Sequence, residues 1–210
     1  MPETEDARPW VPPDGGIEDL RAAATGCHGC ELWRDATQVV FSRGSASARM
    51  MLVGEQPGDR EDLSGEPFVG PAGRLLTEVL DEAGIAEDEV YLTNAVKHFR
   101  FERRGKRRIH EKPAVAHIVA CRPWLEAEIA AVRPGVIVAL GATAARALLN
   151  RTVRIGEERG RIQEAAGPSA SPVLVTVHPS SLLRLREAED RARGRRGLAE
   201  DLRRAHDVVA

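Results

Sequence analysis

The chain has 210 residues, 42% of them apolar, and a formal net charge of −2. That size and apolar content fit one globular domain with its own core. No run approaches the roughly 18 apolar residues of a membrane span, and the near-neutral charge excludes a general affinity for nucleic acid, so any such affinity has to be local.

Residues 1–16 are polar and Pro-rich (Pro2, Pro9, Pro12, Pro13) and hold no apolar signal segment. They read as a mobile tail ahead of a single domain over 17–210, and the protein is expected in the cytoplasm. Ile17 to Ala24 reads as a short helix leading into Cys27-x-x-Cys30. Arg49 to Val53 is a short apolar run ending at Gly54, a buried strand. Leu75, Leu76, Val79, Leu80 and Ala83 recur at helical spacing, and Gly84 ends that helix. Val90 to Thr93 is the second strand. Ala114 to Val132 is a long helix closed by Pro134 and Gly135. Val136 to Leu140 is a third buried strand, followed at once by Gly141 and a helix over Ala142 to Leu149. Ala165 to Pro172 is an exposed Pro/Ser/Ala loop. Val173 to Val177 is the fourth strand, and Arg186 to Val208 a charged C-terminal helix.

Strands separated by helices of this length imply crossovers and a parallel sheet. The expected fold is therefore α/β, with four parallel strands. Each strand runs into a loop with unusual residues: Gly54-Glu55-Gln56-Pro57-Gly58, Asn94, Gly141, and His178-Pro179-Ser180. Open α/β sheets bind ligands at the carboxyl ends of their strands, so the candidate chemistry gathers on one edge.

The second strand and the long helix are separated by a basic insert. From Lys97 to Lys112 there are eight Lys or Arg against Glu102 and Glu111, about +6 in a chain of −2. It contains Lys106-Arg107-Arg108-Ile109-His110. Charge runs are most often solvated loops. A cationic loop beside a strand end also suits phosphate contact, and one histidine in it could act on what the phosphates hold in place. The Gly54 to Gly58 turn is not a phosphate-binding P-loop, because the G-x-x-x-x-G-K-[ST] spacing is absent. Phe68, in Pro67-Phe68-Val69-Gly70-Pro71-Ala72-Gly73, is either a core plug or a stacking plate for a planar ligand. Three cysteines, Cys27, Cys30 and Cys121, are an odd count that argues against a disulfide framework.

Together these pieces resemble the uracil-DNA glycosylase superfamily over roughly Cys27 to Leu202. The matching elements, in order, are Gly54-Glu55-Gln56-Pro57-Gly58, Gly65-x-Pro67-Phe68-Val69-Gly70-Pro71-Ala72-Gly73, Thr93-Asn94-Ala95-Val96-Lys97, Cys121-Arg122-Pro123-Trp124-Leu125, Leu140-Gly141-Ala142-Thr143-Ala144 and His178-Pro179-Ser180. The cysteines look like those of the iron–sulfur branches. The insert from Lys106 to His110 is similar to that of the UdgX branch, whose members attach themselves covalently to uracil-containing DNA.

The resemblance implies a three-layer sandwich around the four-stranded parallel sheet and a substrate of uracil-containing DNA, expected single-stranded and also double-stranded; nothing in the sequence indicates an oligomer interface, so a monomer is expected. It implies that Phe68 stacks on the flipped uracil and that Asn94 hydrogen-bonds its Watson–Crick edge. His178 would donate to uracil O2 as the base leaves as an anion. Gln56 and backbone around Gly54 would line the pocket, and Asp59, Arg108 and Ser180 complete the expected substrate-binding set. Asp59 and Asp62 are also candidates to contact the insert's arginines. His110 would attack C1′, with Glu55 orienting the ring through its other nitrogen. An alkylated imidazole leaves poorly, so the protein would act once.

Relatives with a 4Fe–4S cluster use four cysteines. UdgX-type proteins resemble this chain in carrying a histidine at one of those places, which implies ligands Cys27, Cys30, His98 and Cys121. Cys₃His is also an ordinary structural zinc set, so on the residues alone zinc and iron–sulfur stand level. Two other readings compete with covalent capture. One is a conventional glycosylase that delivers water to C1′, with His110 only contacting phosphate. The other is a module that binds uracil-DNA without chemistry.

Overall fold

The computed structural model describes residues 6–164 and 171–210. In chain order the elements are α1 (Ile17–Ala24), β1 (Ser42–Gly44), β2 (Met50–Gly54), α2 (Asp59–Ser64), α3 (Pro71–Ala83), β3 (Val90–Asn94), β4 (Phe101–Arg104), β5 (Arg107–His110), α4 (Val115–Val132), β6 (Val136–Leu140), α5 (Ala142–Leu149), α6 (Ile155–Glu158), β7 (Ile162–Gln163), β8 (Val173–Thr176), α7 (Pro179–Leu183) and α8 (Ala188–His206). No helix among the described residues is long and apolar enough to cross a membrane.

The four expected strands pair in parallel in the order β3-β2-β6-β8. The sheet has six strands rather than four, because β1 adds antiparallel to β3 and β7 antiparallel to β8. At three and two residues, these edges are too short to carry a periodic signal.

The central strands are buried along their whole length. Alternate residues point to opposite faces. Met51, Val53, Tyr91, Ile137, Ala139, Val173 and Val175 pack under α1, α4 and α5. Met50, Leu52, Val90, Leu92, Val136, Val138, Leu140 and Leu174 pack under α3, α7 and α8. Two apolar faces need two helical layers, and that requirement produces the three-layer sandwich.

Two expectations for chain segments change. The expected tail is packed from Ala7 onward, within the described residues. Ala7 is buried, its N–H donates to the Ala120 carbonyl (2.8 Å), and a Cβ on Gly29 would come within 2.8 Å of its backbone. The basic insert is a hairpin, with β4 and β5 paired antiparallel and Phe101 opposite His110. The expected exposed loop over 165–172 lies mostly outside the described residues.

Candidate active site

The strand order places the chain reversal between β2 and β6, since β2 is the first of the parallel strands and its two neighbours follow in opposite directions. A crevice forms at such a switch point. Its floor is the Gly54 turn, with Asn94 alongside, because Gly54 and Asn94 are register partners. A Cβ on Gly54 would meet Asn94 Oδ1 at 2.3 Å and the Phe68 ring at 2.8 Å. Glycine is thus what lets an amide and an aromatic ring close over one spot. Phe68 is buried and holds a left-handed backbone (φ 59°), which for a bulky residue costs on the order of 1–3 kcal/mol. The surrounding loop holds it there. The Gly70 N–H donates to Glu61 Oε1 (2.8 Å), and any Cβ on Gly73 would collide with the Phe68 carbonyl at 1.7 Å.

Beneath Asn94 lies a buried polar network. Lys97 Nζ donates to Thr93 Oγ1 (2.6 Å) and to the Asn94 carbonyl (3.0 Å), and pairs with Glu128; both charged side chains are fully buried. Tyr91 Oη donates to the same carboxylate (3.0 Å). These bonds fix the Asn94 backbone from below, where no water can compete.

His178 heads the loop after β8. Its Nδ1 accepts from the Ser180 N–H (3.1 Å). A neutral ring with Nδ1 accepting carries its proton on Nε2 and presents that N–H as a donor. Burial pushes its pKa down to about 4, with His110 and Arg184 lowering it further, so it stays neutral near pH 7. Ser180 therefore sets the tautomer of His178. Its hydroxyl lies 2.9 Å from Nδ1 and accepts from Arg184 (3.1 Å).

The hairpin brings His110 to the same crevice. His110 Nε2 lies 3.4 Å from Glu55 Oε1, and the His110 side chain is 47% exposed, open to a ligand. The other carboxylate oxygen of Glu55 accepts from the Thr143 hydroxyl at the start of α5. Thr143 stands within the Leu140 to Ala144 element that matches the superfamily, but nothing in the sequence pattern gives its hydroxyl a role.

Three residues expected at the substrate also hold the hairpin. Gln56 Nε2 donates to the carbonyls of Arg100 (3.1 Å) and Glu111 (3.0 Å), and its Oε1 accepts from the Arg100 N–H (3.1 Å). Its amide thus ties down the hairpin base. Arg108 donates to Asp59 Oδ1 (2.6 Å), Asp62 Oδ2 (2.5 Å) and Thr37 Oγ1 (3.1 Å). Its guanidinium also lies over the rings of Phe99 and Phe101. Asp62 is fully buried and needs a cation, which Arg108 supplies in a clasp that also takes in Asp59. Of the insert's cations, Arg103, Lys106, Arg107 and Lys112 have no ion pair among the described residues. The first three, with the exposed Leu63 and Ile109, line an open groove of about 540 Å³ beside the clasp.

On the opposite side of the sheet from α3, the cysteines come together. Cys27 Sγ accepts from Trp124 Nε1 (3.2 Å), and Cys121 Sγ from the Lys97 N–H (3.3 Å). Burial pushes Cys30 up to about 11 and Cys121 up to about 12, with each raised a little further by neighbouring cysteines. Burial also lowers His98 to about 4, which keeps it neutral and able to ligate. Among the described residues no three His, Cys, Asp or Glu side chains converge as a single-ion site. His28 stacks on Trp33 (3.9 Å between ring centres) rather than joining the sulfurs, and His117 caps α4 by accepting from the Ala114 N–H (3.1 Å).

A family model described as the uracil DNA glycosylase superfamily matches residues 41–203. The type-4 uracil-DNA glycosylase of Thermotoga maritima is 39% identical over 184 residues, covering 87% of this chain and 89% of its own. That of Archaeoglobus fulgidus is 33% identical over 172 residues, covering 80% and 83%. A type-5 uracil-DNA glycosylase of Pyrobaculum aerophilum is 31% identical over 172 residues, covering 72% and 70%. With a six-stranded sheet of this order, a crevice built on Gly54, Phe68, Asn94 and His178, and a match over most of its length, the chain belongs to the uracil-DNA glycosylase superfamily.

Proposed function

We propose that this protein excises uracil from DNA and stays joined, through His110, to C1′ of the sugar it leaves bare. The observation that carries the reading is His110 Nε2 at 3.4 Å from Glu55, at the mouth of the crevice that holds Phe68, Asn94 and His178. Uracil activity is supported by family membership and by the type-4 relatives. Capture is supported by the hairpin, which brings a half-exposed imidazole to the crevice and anchors it there by Gln56 and Arg108.

The steps follow from the groups in place. The target nucleotide leaves the stack so that its glycosidic bond can be reached. Phe68 faces the base and the Asn94 amide its pairing edge. As the C1′–N1 bond breaks, the electron pair departs with uracil, and the Nε2–H of His178 donates to O2 where negative charge grows. The lone pair on the His110 nitrogen that does not face Glu55 closes on C1′. The imidazolium so formed is offset by the Glu55 carboxylate beside it. An N-alkylated imidazole is a poor leaving group, so the adduct persists.

Cys27, Cys30, Cys121 and His98 are proposed to hold a 4Fe–4S cluster, and the N–H donors aimed at two of the sulfurs suit metal-bound thiolates. The cluster would supply a cross-link between the N-terminal segment, α4 and the base of the hairpin. Iron and sulfide content of the purified protein tests this, and zinc in their place would replace it.

The test of capture is denaturing electrophoresis of protein mixed with a uracil-containing oligonucleotide, wild type beside His110→Ala, without alkali. A shifted band that survives heat and detergent and requires both uracil and His110 is expected. Cleavage at uracil only after alkali, with no shifted band, would make the protein a turnover glycosylase.

A further inference from the structure

We infer that Thr143 is a positioning residue for covalent capture, acting through Glu55. The inference rests on the capture reading above. Its basis is a chain of contacts that no motif announces. The Thr143 hydroxyl, on a residue only 2% exposed, donates to Glu55 Oε2, and Glu55 Oε1 faces His110 Nε2 at 3.4 Å. The register dictates the meeting. Val53 pairs with Ala139 across β2 and β6, so the residues that follow each strand, Glu55 and Gly141 to Thr143, emerge side by side at the switch point. Gly141 takes a left-handed turn (φ 92°) that starts α5 there.

A glutamate on a turn has three soft torsions and can swing its carboxylate away from a ring 3.4 Å distant. A hydroxyl aimed from a buried helix start removes that freedom. It also leaves one oxygen uncommitted, and that oxygen is the one that meets His110. Thr143 is buried and its hydroxyl meets Glu55, not the imidazole. Its effect is therefore on how cleaved sugars are shared between His110 and water. Without the hydroxyl the ring is held less well as the oxocarbenium-like sugar forms, and water takes more of it. The bond formed is then C1′–O in place of C1′–N, with the water proton released to solvent.

The experiment measures two products on one uracil-containing oligonucleotide: heat-stable adduct, and alkali-labile sites not in adduct. Wild type is compared with Thr143→Val, Thr143→Ser, Glu55→Gln and the double variant Glu55→Gln/Thr143→Val. Thr143→Val removes the hydroxyl at nearly constant shape. It should lower the ratio of adduct to free alkali-labile sites on the order of tenfold, as loss of a hydrogen bond to a charged group does. Thr143→Ser should restore the ratio to within about twofold. The double variant should match Glu55→Gln, because a residue acting only through Glu55 has no effect once Glu55 is altered. A ratio unchanged in Thr143→Val overturns the inference. So does a fall in both products together without serine rescue, or a double variant whose loss is the product of the two single losses. A wild type that forms no adduct at all overturns the capture reading, and this inference with it.

Discussion

The carboxyl ends of the parallel strands and the β4–β5 hairpin both reach the crevice, yet they are built on opposite principles. Asn94 and the Gly54 turn lie at the ends of fully buried strands and Phe68 on the buried loop before α3, and they are held by backbone register, close packing and the Lys97–Glu128 pair. The hairpin is mostly exposed and carries no core of its own. It is tied down by discrete side-chain clasps: Gln56 at its base, and Arg108 against Asp59 and Asp62. The rigid edge suits a task that needs fixed donors around a leaving base. Under the proposed capture, the clasped hairpin would present the nucleophile to a sugar whose base has turned out. Cleavage and capture should therefore be separable by mutation.

The widest separation is expected from the two histidines. His178→Ala should slow uracil release by about 10²–10³-fold, the usual cost of losing one donor to a developing anion. His110→Ala should abolish adduct and leave alkali-labile sites. Single-turnover assays of both products read this directly, and a His110 variant that stops cleavage as fully as capture would collapse the distinction. Next in size is Lys97→Met, which leaves Glu128 buried without its partner and should cost about 3 kcal/mol of stability. Chemical denaturation measures it, and loss of the whole domain rather than of the hairpin is expected. Arg108→Ala should cost less, about 2 kcal/mol for hydrogen bonds to charged partners. Its signature is local: faster amide exchange over Phe101 to His110, weaker capture, and unchanged exchange in β2 and β3.

Acid should strike the strand-end side first. His178 in the fold stays neutral down to about pH 4, whereas an unfolded histidine titrates near about 6.5. Between those values the unfolded chain binds the extra proton, so stability falls as pH drops from about 6.5 toward 4, by up to about 1.4 kcal/mol per pH unit. Thermal melts of wild type and His178→Gln across that window check the sign; the variant should lose part of the slope. The smallest effect is expected at the groove. Lys106→Ala or Arg107→Ala should each lower the salt dependence of DNA binding by about one unit of log–log slope, with little change in the share of adduct. A large loss of capture there would mean that these cations hold the hairpin and not the strand.

Much of this architecture can be read from the chain. Four continuous apolar runs, each followed by a helix, require a parallel sheet buried on both faces. Strand ends carrying Gly54, Asn94, Gly141 and His178 mark the edge where the site lies. The hairpin strands escape such a reading because β4 and β5 are four residues each and rich in arginine, with too few apolar positions to alternate. The edges β1 and β7 escape it through shortness.

What the sequence by itself determined is therefore the layer order, the edge that bears the chemistry, and the residue types available there, because burial periodicity and turn chemistry are local properties of the chain. What only the tertiary structure decided is which polar group each side chain spends itself on. Gln56 and Arg108, expected at the substrate, also answer the needs of the Arg100 and Glu111 backbone and of a buried Asp62. Ser180 sets the tautomer of His178, and Thr143, to whose hydroxyl no sequence pattern gives a role, holds Glu55. A buried polar group must find a partner wherever the fold brings one. These partners lie 44 to 88 residues apart in the chain for Gln56, Arg108 and Thr143, and no local pattern encodes such a pairing.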